Sequence, residues 1–189
     1  MSRLTGILLA AGASKRFGSD KLLHKLPGGT PVAVAALANL RSTLPQVIAT
    51  VRPGATVLEQ LLSEMGAMVI ECGNADAGMG ASLASAVHAS GEVAGWVIAL
   101  ADMPYIRPET IAQVAAALAG GADIVAPTYQ GRRGHPVGLS ARFRPQLQAL
   151  RGDEGARALF KDYAQLVKQI EVDDPGVCRD IDTPDDLRI

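Results

Sequence analysis

The first candidate for chemistry is a loop of small residues that is followed by positive charges. Residues 10–14 read Ala-Ala-Gly-Ala-Ser, so a ligand can lie against the main chain and accept hydrogen bonds from its N–H groups. The cations Lys15, Arg16 and Lys21 follow at once. Backbone donors beside three cations favour a polyanion, and a triphosphate is the ligand we expect. The alternative is a strand, a glycine turn and a solvated basic surface.

The spacing of this loop excludes two common phosphate-binding motifs. A Walker A loop has four residues between its glycines and then Gly-Lys-Ser/Thr. Here five residues separate Gly12 from Gly18, and Ser19-Asp20-Lys21 follows. The dinucleotide motif G-x-G-x-x-G is also absent from this segment.

A second candidate is Asp102, which follows the apolar run 96–101 directly. That run predicts a central strand, and a carboxylate at its carboxyl end is costly to bury without a partner. Asp102 therefore either caps the following loop or binds a cation. The residues alone favour neither interpretation.

The remaining pattern predicts the elements that position these groups. Short apolar runs alternate with helical periods, which favours parallel strands joined by helices. We expect one Rossmann-like three-layer α/β/α domain over residues 1–189, with a mostly parallel central sheet. The predicted strands are 7–9, 47–51, 68–72, 96–101, 123–129 and 166–172. The predicted helices are 31–44, 56–65, 108–119, 145–150 and 154–163, together with one that the glycine-rich loop 73–83 opens and that ends near Ser90.

Composition narrows the function classes. The net charge is −1 and aromatic residues are 4% of the chain, which argues against nucleic-acid or membrane-surface partners. No apolar run approaches the length of a membrane span. Cys72 and Cys178 lack metal-ligand spacing, so we expect free thiols and a cytoplasmic protein.

The opening loop resembles a known family. Leu9-Ala10-Ala11-Gly12-x-Ser14-x-Arg16-Phe17-Gly18-x-x-Lys21 is similar to the signature of nucleotidyltransferases of the molybdenum-cofactor type, whose fold is that of nucleotide-diphospho-sugar transferases. Phe17 stands where Met is usual. The resemblance implies that the loop wraps a nucleoside triphosphate, with phosphate contacts from Arg16 and Lys21. The implied nucleotide-binding residues in this loop are Leu9, Ala10, Ala11, Gly12, Ser14, Arg16 and Lys21.

Three later segments extend the resemblance. Asn74 and the Gly-Met-x-x-Ser-Leu run that contains Ser82 resemble the segment that contacts the nucleoside. Ala101-Asp102-Met103-Pro104 and Asp-Ile-Asp-Thr-Pro-x-Asp-Leu resemble the metal motifs, which implies one Mg²⁺ on Asp102 and Asp182, with Mn²⁺ as the alternative ion. Gly-His-Pro-Val resembles the acceptor region, so His135 lines that pocket and Arg132 or Arg133 meets the acceptor phosphate.

The implied reaction transfers a nucleoside monophosphate to the phosphate of a small acceptor and releases pyrophosphate, with Arg16, Lys21 and Asp102 as the catalytic groups. The Ala10-Ala11 pair resembles the molybdopterin cytidylyltransferase branch, so CTP is the expected donor and molybdopterin the expected acceptor. A molybdoenzyme or its chaperone is a candidate partner. The alternatives are a sugar-phosphate or alditol-phosphate nucleotidyltransferase of the same fold, and a non-catalytic nucleotide-binding relative.

Overall fold

The computed structural model describes residues 3–12, 17, 20–73, 78–152 and 155–187. Its strands are β1 Leu4–Leu9, β2 Val47–Val51, β3 Met68–Glu71, β4 Gly95–Leu100, β5 Ile124–Tyr129, β6 Arg132–Arg133, β7 Val137–Ser140 and β8 Val167–Glu171. Its α-helices are α1 Val32–Thr43, α2 Thr56–Glu64, α3 Met79–Ala89, α4 Pro108–Ala119, α5 Arg144–Gln148 and α6 Arg157–Asp162. The strands and helices that the sequence predicts are therefore present, with ends that shift by one to three residues.

The strands form one sheet in the order β3-β2-β1-β4-β7-β5-β6, and β8 pairs with β5. The strands β3, β2, β1 and β4 run parallel to one another. β7 is antiparallel to both β4 and β5, while β8 is parallel to β5. The predicted three-layer α/β fold with a mostly parallel sheet is confirmed, and β4 holds a central position.

Helices cover both faces of the sheet, and strand register assigns the side chains to them. Ile7 lies beside Ile48 and Ile98, and these three pack in one core with α3, α5 and α6. Leu8 lies beside Ala49 and Ala99, and this row packs in the opposite core with α1, α2 and α4. Because successive side chains on a strand alternate between faces, an unbroken apolar run fits a strand that is covered on both sides.

Two further observations bear on the class of the protein. Cys72 and Cys178 are free thiols, as the sequence predicts. Among the described residues, no helix combines the length and the apolar character that crossing a bilayer requires.

Candidate active site at the carboxyl edge of the sheet

The loops that carry the predicted site residues meet at one edge of the sheet. β1 and β4 are parallel, so Leu9 and Leu100, their last residues, lie side by side at the carboxyl edge. β7 runs the other way, and its first residue, Val137, pairs with Ile98 of β4. The antiparallel strand therefore brings His135 to the edge where β1 and β4 end, which is where open α/β sheets bind their ligands.

The opening loop leaves the sheet later than its sequence indicates. The Ala10 N–H donates to the Thr50 carbonyl oxygen at 3.0 Å, and the Leu9 carbonyl oxygen accepts from Ala101 at 3.0 Å. Ala10 is thus still bound to the sheet, whereas Gly12 is exposed. Ser14 and Arg16 lie outside the described residues, so their phosphate contacts remain predictions.

Lys21 begins a short 3₁₀ helix, Lys21–Leu23, that follows this loop. The Asp20 carboxylate caps the helix by accepting from the Leu22 N–H at 3.2 Å, and the buried Leu22 side chain anchors it. The Lys21 ammonium donates to Asp102 Oδ2 at 2.8 Å, to Asp182 Oδ1 at 3.1 Å and to the Ile181 carbonyl oxygen at 2.8 Å. In this structure the Lys21 side chain therefore faces the two predicted metal ligands, and its contact with a triphosphate remains a prediction.

The two predicted metal ligands, 80 positions apart in the sequence, do come together. The Ile181 N–H donates to the Asp102 carbonyl oxygen at 2.9 Å, and the Ile181 side chain is fully buried. This anchor places the acids on either side of Ile181 next to Asp102. Asp102, Asp180 and Asp182, which we call the acidic cluster, each offer a carboxylate oxygen within 4.8 Å of the others.

The donor set of the acidic cluster fits a hard divalent cation. Three carboxylates and the Ile181 carbonyl oxygen are the oxygen ligands that Mg²⁺ and similar ions prefer. Sequence reasoning missed Asp180, although the Asp-Ile-Asp pattern was visible. In an extended segment, the residues on either side of a buried anchor point the same way, and that alternation was the available signal.

Lys21 offsets part of the negative charge of the acidic cluster. Burial by itself would lower the pKa of the Lys21 ammonium, but the hydrogen bonds and negative charges of Asp102 and Asp182 outweigh burial and raise that pKa. Lys21 is therefore charged at neutral pH. Its side chain is 11% exposed, compared with 22% for Asp102 and 41% for Asp182.

Asp186 holds the backbone of the last acidic residues in place. Its carboxylate accepts hydrogen bonds from the backbone N–H groups of Asp182 and Thr183 at 3.1 and 2.7 Å, and from the Thr183 hydroxyl at 2.8 Å. These hydrogen bonds, chiefly the two from Thr183, lower the pKa of Asp186. The closing motif thus has two functions, because Asp186 fixes the turn while Asp180 and Asp182 face the site.

Beside the acidic cluster lies a second group, Arg133, His135 and Arg157, which we call the basic cluster. Burial and the positive charges of Arg133 and Arg157 lower the pKa of His135 to about 4, and the nearby Asp180 opposes this shift. His135 is therefore neutral at pH 7. Asp180 is the residue that links the acidic cluster to the basic one.

Packing against α6 explains why the two arginines lie together. The Arg133 guanidinium carbon is 4.4 Å from the centroid of the Phe160 ring, and Arg157 precedes Phe160 by three residues on α6. Residues three apart on a helix share a side, so Arg157 faces the same region. In the part of the chain that the structure describes, neither guanidinium has a carboxylate within ion-pair distance.

Strand geometry turns the two adjacent arginines in different directions. Arg132 and Arg133 form β6, and neighbouring side chains on a strand point to opposite sides. Arg133 acts on His135, whereas Arg132 is not among the charges that shift its pKa. Arg133 is thus the nearer charge to His135, while the contacts of Arg132 and His135 with an acceptor remain predictions. Sequence reasoning missed Arg157, because nothing local distinguishes it from other exposed arginines.

Asn74 and Ser82 are the residues that we predict to contact the nucleoside. Asn74 lies outside the described residues. Ser82 is in the first turn of α3 and only 3% exposed, and its hydroxyl, with that of Ser85, faces the Cys72 thiol. Burial raises the pKa of this thiol, and the two serine hydroxyls oppose the shift. In this structure Ser82 is buried against Cys72, the residue that follows β3, and its contact with a nucleoside remains a prediction.

Comparison with known proteins agrees with this geometry. Residues 6–169 match the family described as the MobA-like NTP transferase domain. The purine catabolism protein PucB of Bacillus subtilis (strain 168) is 32% identical, over 97% of this chain and 93% of its own. A protein of Geobacillus sp. (strain WCH70) named "Probable molybdenum cofactor guanylyltransferase" is 28% identical, over 99% of this chain and 97% of its own.

Solved structures of related proteins share the fold of this chain. The crystal structure of Rv0371c from Mycobacterium tuberculosis H37Rv superposes with a TM-score of 0.83 at 29% identity, covering 99% of this chain and 97% of the other. A second structure of Rv0371c, in complex with manganese, has a TM-score of 0.80 at 28% identity and the same coverage of both chains. The family match spans most of the sequence, and the chain belongs to the MobA-like NTP transferase family.

Proposed function

We propose that this protein transfers a nucleoside monophosphate from a nucleoside triphosphate to the phosphate of a small acceptor. An oxygen of the acceptor phosphate forms a bond to the α-phosphorus as the bond from the α-phosphorus to the pyrophosphate oxygen breaks, and pyrophosphate leaves. The observation that carries this proposal is the acidic cluster beside the basic cluster at the carboxyl edge. Family membership makes nucleotide transfer the reaction class.

The acidic cluster supports the donor side of the reaction. Asp102 and Asp182 would hold a divalent ion, Mg²⁺ or Mn²⁺, which when bound supplies positive charge to the triphosphate and its leaving group. The manganese in a structure of Rv0371c favours such a requirement here. Arg16 and Lys21 are the proposed phosphate ligands of the chain itself, and such charge-assisted contacts are among the stronger hydrogen bonds in proteins.

The basic cluster supports the acceptor side. Arg133 and Arg157 offer two guanidinium groups without carboxylate partners among the described residues, which suits a phosphate dianion. His135, neutral at pH 7, can hydrogen-bond the acceptor without adding a charge. Because Asp180 adjoins both clusters, an acceptor phosphate on the arginines lies close to the place where the donor phosphates bind.

CTP and molybdopterin are the substrates that we propose. The Ala10-Ala11 pair favours CTP, because added side-chain bulk at the loop selects against a purine. Shape selection of this kind is generally worth only about 1–3 kcal/mol, so CTP is preferred over GTP rather than used alone. A relative whose name refers to the molybdenum cofactor favours a molybdopterin acceptor.

A pyrophosphate-release assay tests the proposal. Purified protein is incubated with each of the four NTPs, with Mg²⁺ or Mn²⁺, and with molybdopterin, a sugar phosphate or an alditol phosphate. We expect turnover with CTP and molybdopterin, and a preference for CTP when CTP and GTP compete. A preference for GTP would move the protein to the guanylyl branch, turnover with another acceptor would replace molybdopterin, and no turnover with any pair would refute transferase activity.

A further inference from the structure

The position of Lys21 has a consequence for metal binding. An ammonium group has three N–H donors, and Lys21 directs them at Asp102, Asp182 and the Ile181 carbonyl oxygen. No donor is left for a triphosphate while these contacts hold. Lys21 must therefore release the acidic cluster before it can bind phosphate.

A divalent ion held by Asp102 and Asp182 would draw on the same two carboxylates. Mg²⁺ binds oxygen ligands at roughly 2.0–2.1 Å, which is shorter than the 2.8 and 3.1 Å that separate the Lys21 nitrogen from Asp102 Oδ2 and Asp182 Oδ1. An ion on these two oxygens would lie beside the ammonium, and the two cations would repel strongly in a partly buried site. The acidic cluster thus accommodates either the ammonium or the ion in this place.

The exchange requires only a rotation of the lysine side chain. The backbone at Lys21 is fixed by the Asp20 cap and by the buried Leu22, whereas the ammonium is carried on a flexible four-carbon stem. A triphosphate that arrives with its metal ion offers the ammonium new anionic partners as it loses the old ones. The cost of separating Lys21 from the carboxylates is then offset by its contacts with phosphate.

We propose that Lys21 and the divalent ion are alternative occupants of the acidic cluster, and that the nucleotide drives their exchange by drawing Lys21 onto its phosphates. The competition between lysine and ion stands on the geometry alone, while the identity of the nucleotide rests on the proposed function. Without nucleotide, Lys21 occupies Asp102 and Asp182, offsets part of their negative charge and lowers the affinity for a free ion. Metal and nucleotide therefore bind cooperatively.

Mn²⁺ binding, followed by electron paramagnetic resonance without nucleotide, tests the competition. Lys21→Met keeps the length of the side chain and removes the competing cation, and we expect it to bind Mn²⁺ at least tenfold more tightly than the wild type. Lys25→Met removes a charge from an exposed neighbouring position and controls for the change in net charge. Asp102→Asn in the Lys21→Met background should abolish the gain, which locates the ion. Equal or weaker Mn²⁺ binding by folded Lys21→Met would overturn the proposal.

A second measurement needs no variant. In protein labelled with ¹³C-lysine, the Lys21 side-chain resonance should move when Mg²⁺ and a non-hydrolysable CTP analogue are added together, and should stay in place with Mg²⁺ alone at the same concentration. An unmoved resonance in the ternary complex would refute the exchange. If Lys21→Met gains Mn²⁺ affinity but the wild type shows no turnover in the pyrophosphate assay, the competition between lysine and ion is upheld and the transferase activity is refuted. If the wild type turns over but Lys21→Met shows no gain, the transferase activity is upheld and the competition is refuted.

Discussion

The acidic and basic clusters lie side by side at the carboxyl edge, yet their charges are satisfied in different ways. Asp102 and Asp182 share the ammonium of Lys21, so their negative charge is partly compensated inside the protein. Arg133 and Arg157 have no carboxylate within ion-pair distance in the described part of the chain. In the exchange that we propose, Lys21 has to leave the acidic cluster before a metal ion binds there. The basic cluster can bind an anion without first losing a partner. Under the proposed function, this difference would give the donor side and the acceptor side of the reaction different kinds of site.

The strongest test of this comparison is Asp102→Asn. We expect turnover to fall by on the order of 10³-fold, because electrostatic stabilisation of the developing charge is lost. The free energy of unfolding should drop by only about 1–2 kcal/mol, since Lys21 keeps Asp182 and the Ile181 carbonyl oxygen as partners. Pyrophosphate release and urea denaturation measure the two effects.

Asp123→Asn is the matched control for that experiment. Asp123 also pairs with a cation, since its carboxylate lies 2.9 Å from the Arg142 guanidinium, but it precedes β5 at the opposite edge of the sheet. We expect turnover of this variant to stay within about twofold of the wild type, because Asp123 lies at the opposite edge and an exposed ion pair contributes little to stability. Comparable losses in both variants would show that the acidic cluster has no special role.

The basic cluster is tested by Arg133→Ala and Arg157→Ala. Each should raise the KM for the acceptor roughly tenfold or more, because a hydrogen bond to a charged group is worth about 1.5–3 kcal/mol. The KM for the nucleotide should stay unchanged if the two clusters divide the substrates as proposed. Arg132→Ala, which removes the same charge from the opposite side of β6, should leave both constants within about twofold. An equal rise in the KM for the acceptor in all three variants would show that these arginines attract anions only through their net charge.

The smallest effect is a pH dependence of stability that His135 produces. The pKa of His135 is about 4 in the folded protein and about 6.5 in the unfolded chain. Between these values the unfolded chain binds a proton that the folded protein does not, so the free energy of unfolding falls as pH decreases through this window. We expect His135 to account for about 2 kcal/mol of the loss between pH 7 and pH 4.5.

Urea denaturation of wild type and His135→Gln at the two pH values measures this contribution. The variant lacks the titrating group, so the stability difference between the two proteins should shift by about 2 kcal/mol towards the variant on acidification. Arg157→Ala should narrow the pH range over which His135 changes the stability, because removing a nearby positive charge moves the pKa of His135 back towards its ordinary value. Parallel pH curves for all three proteins would contradict the link between His135 and the basic cluster.

Local sequence determined the framework and the first part of the site. Unbroken apolar runs such as 96–101 predict buried strands, and residues at strand ends, such as Asp102, inherit a place at the ligand-binding edge. The alternation of strands and helices was sufficient to predict the layers of the fold. The predictions of strands, helices and layers were correct because the hydrophobic period of a strand or helix depends on residues that are close together in the sequence.

Tertiary structure alone decided which charged groups meet. Lys21 reaches Asp102 across 81 positions and the Ile181 carbonyl oxygen across 160. His135 arrives at the carboxyl edge because β7 is antiparallel to β4, and Asp180 arrives because buried Ile181 binds the backbone of Asp102. No local period encodes such contacts, since they depend on strand direction and on the path of the closing segment. That is why the sequence could predict two carboxylates as metal ligands, whereas only the folded chain revealed the lysine that lies between them.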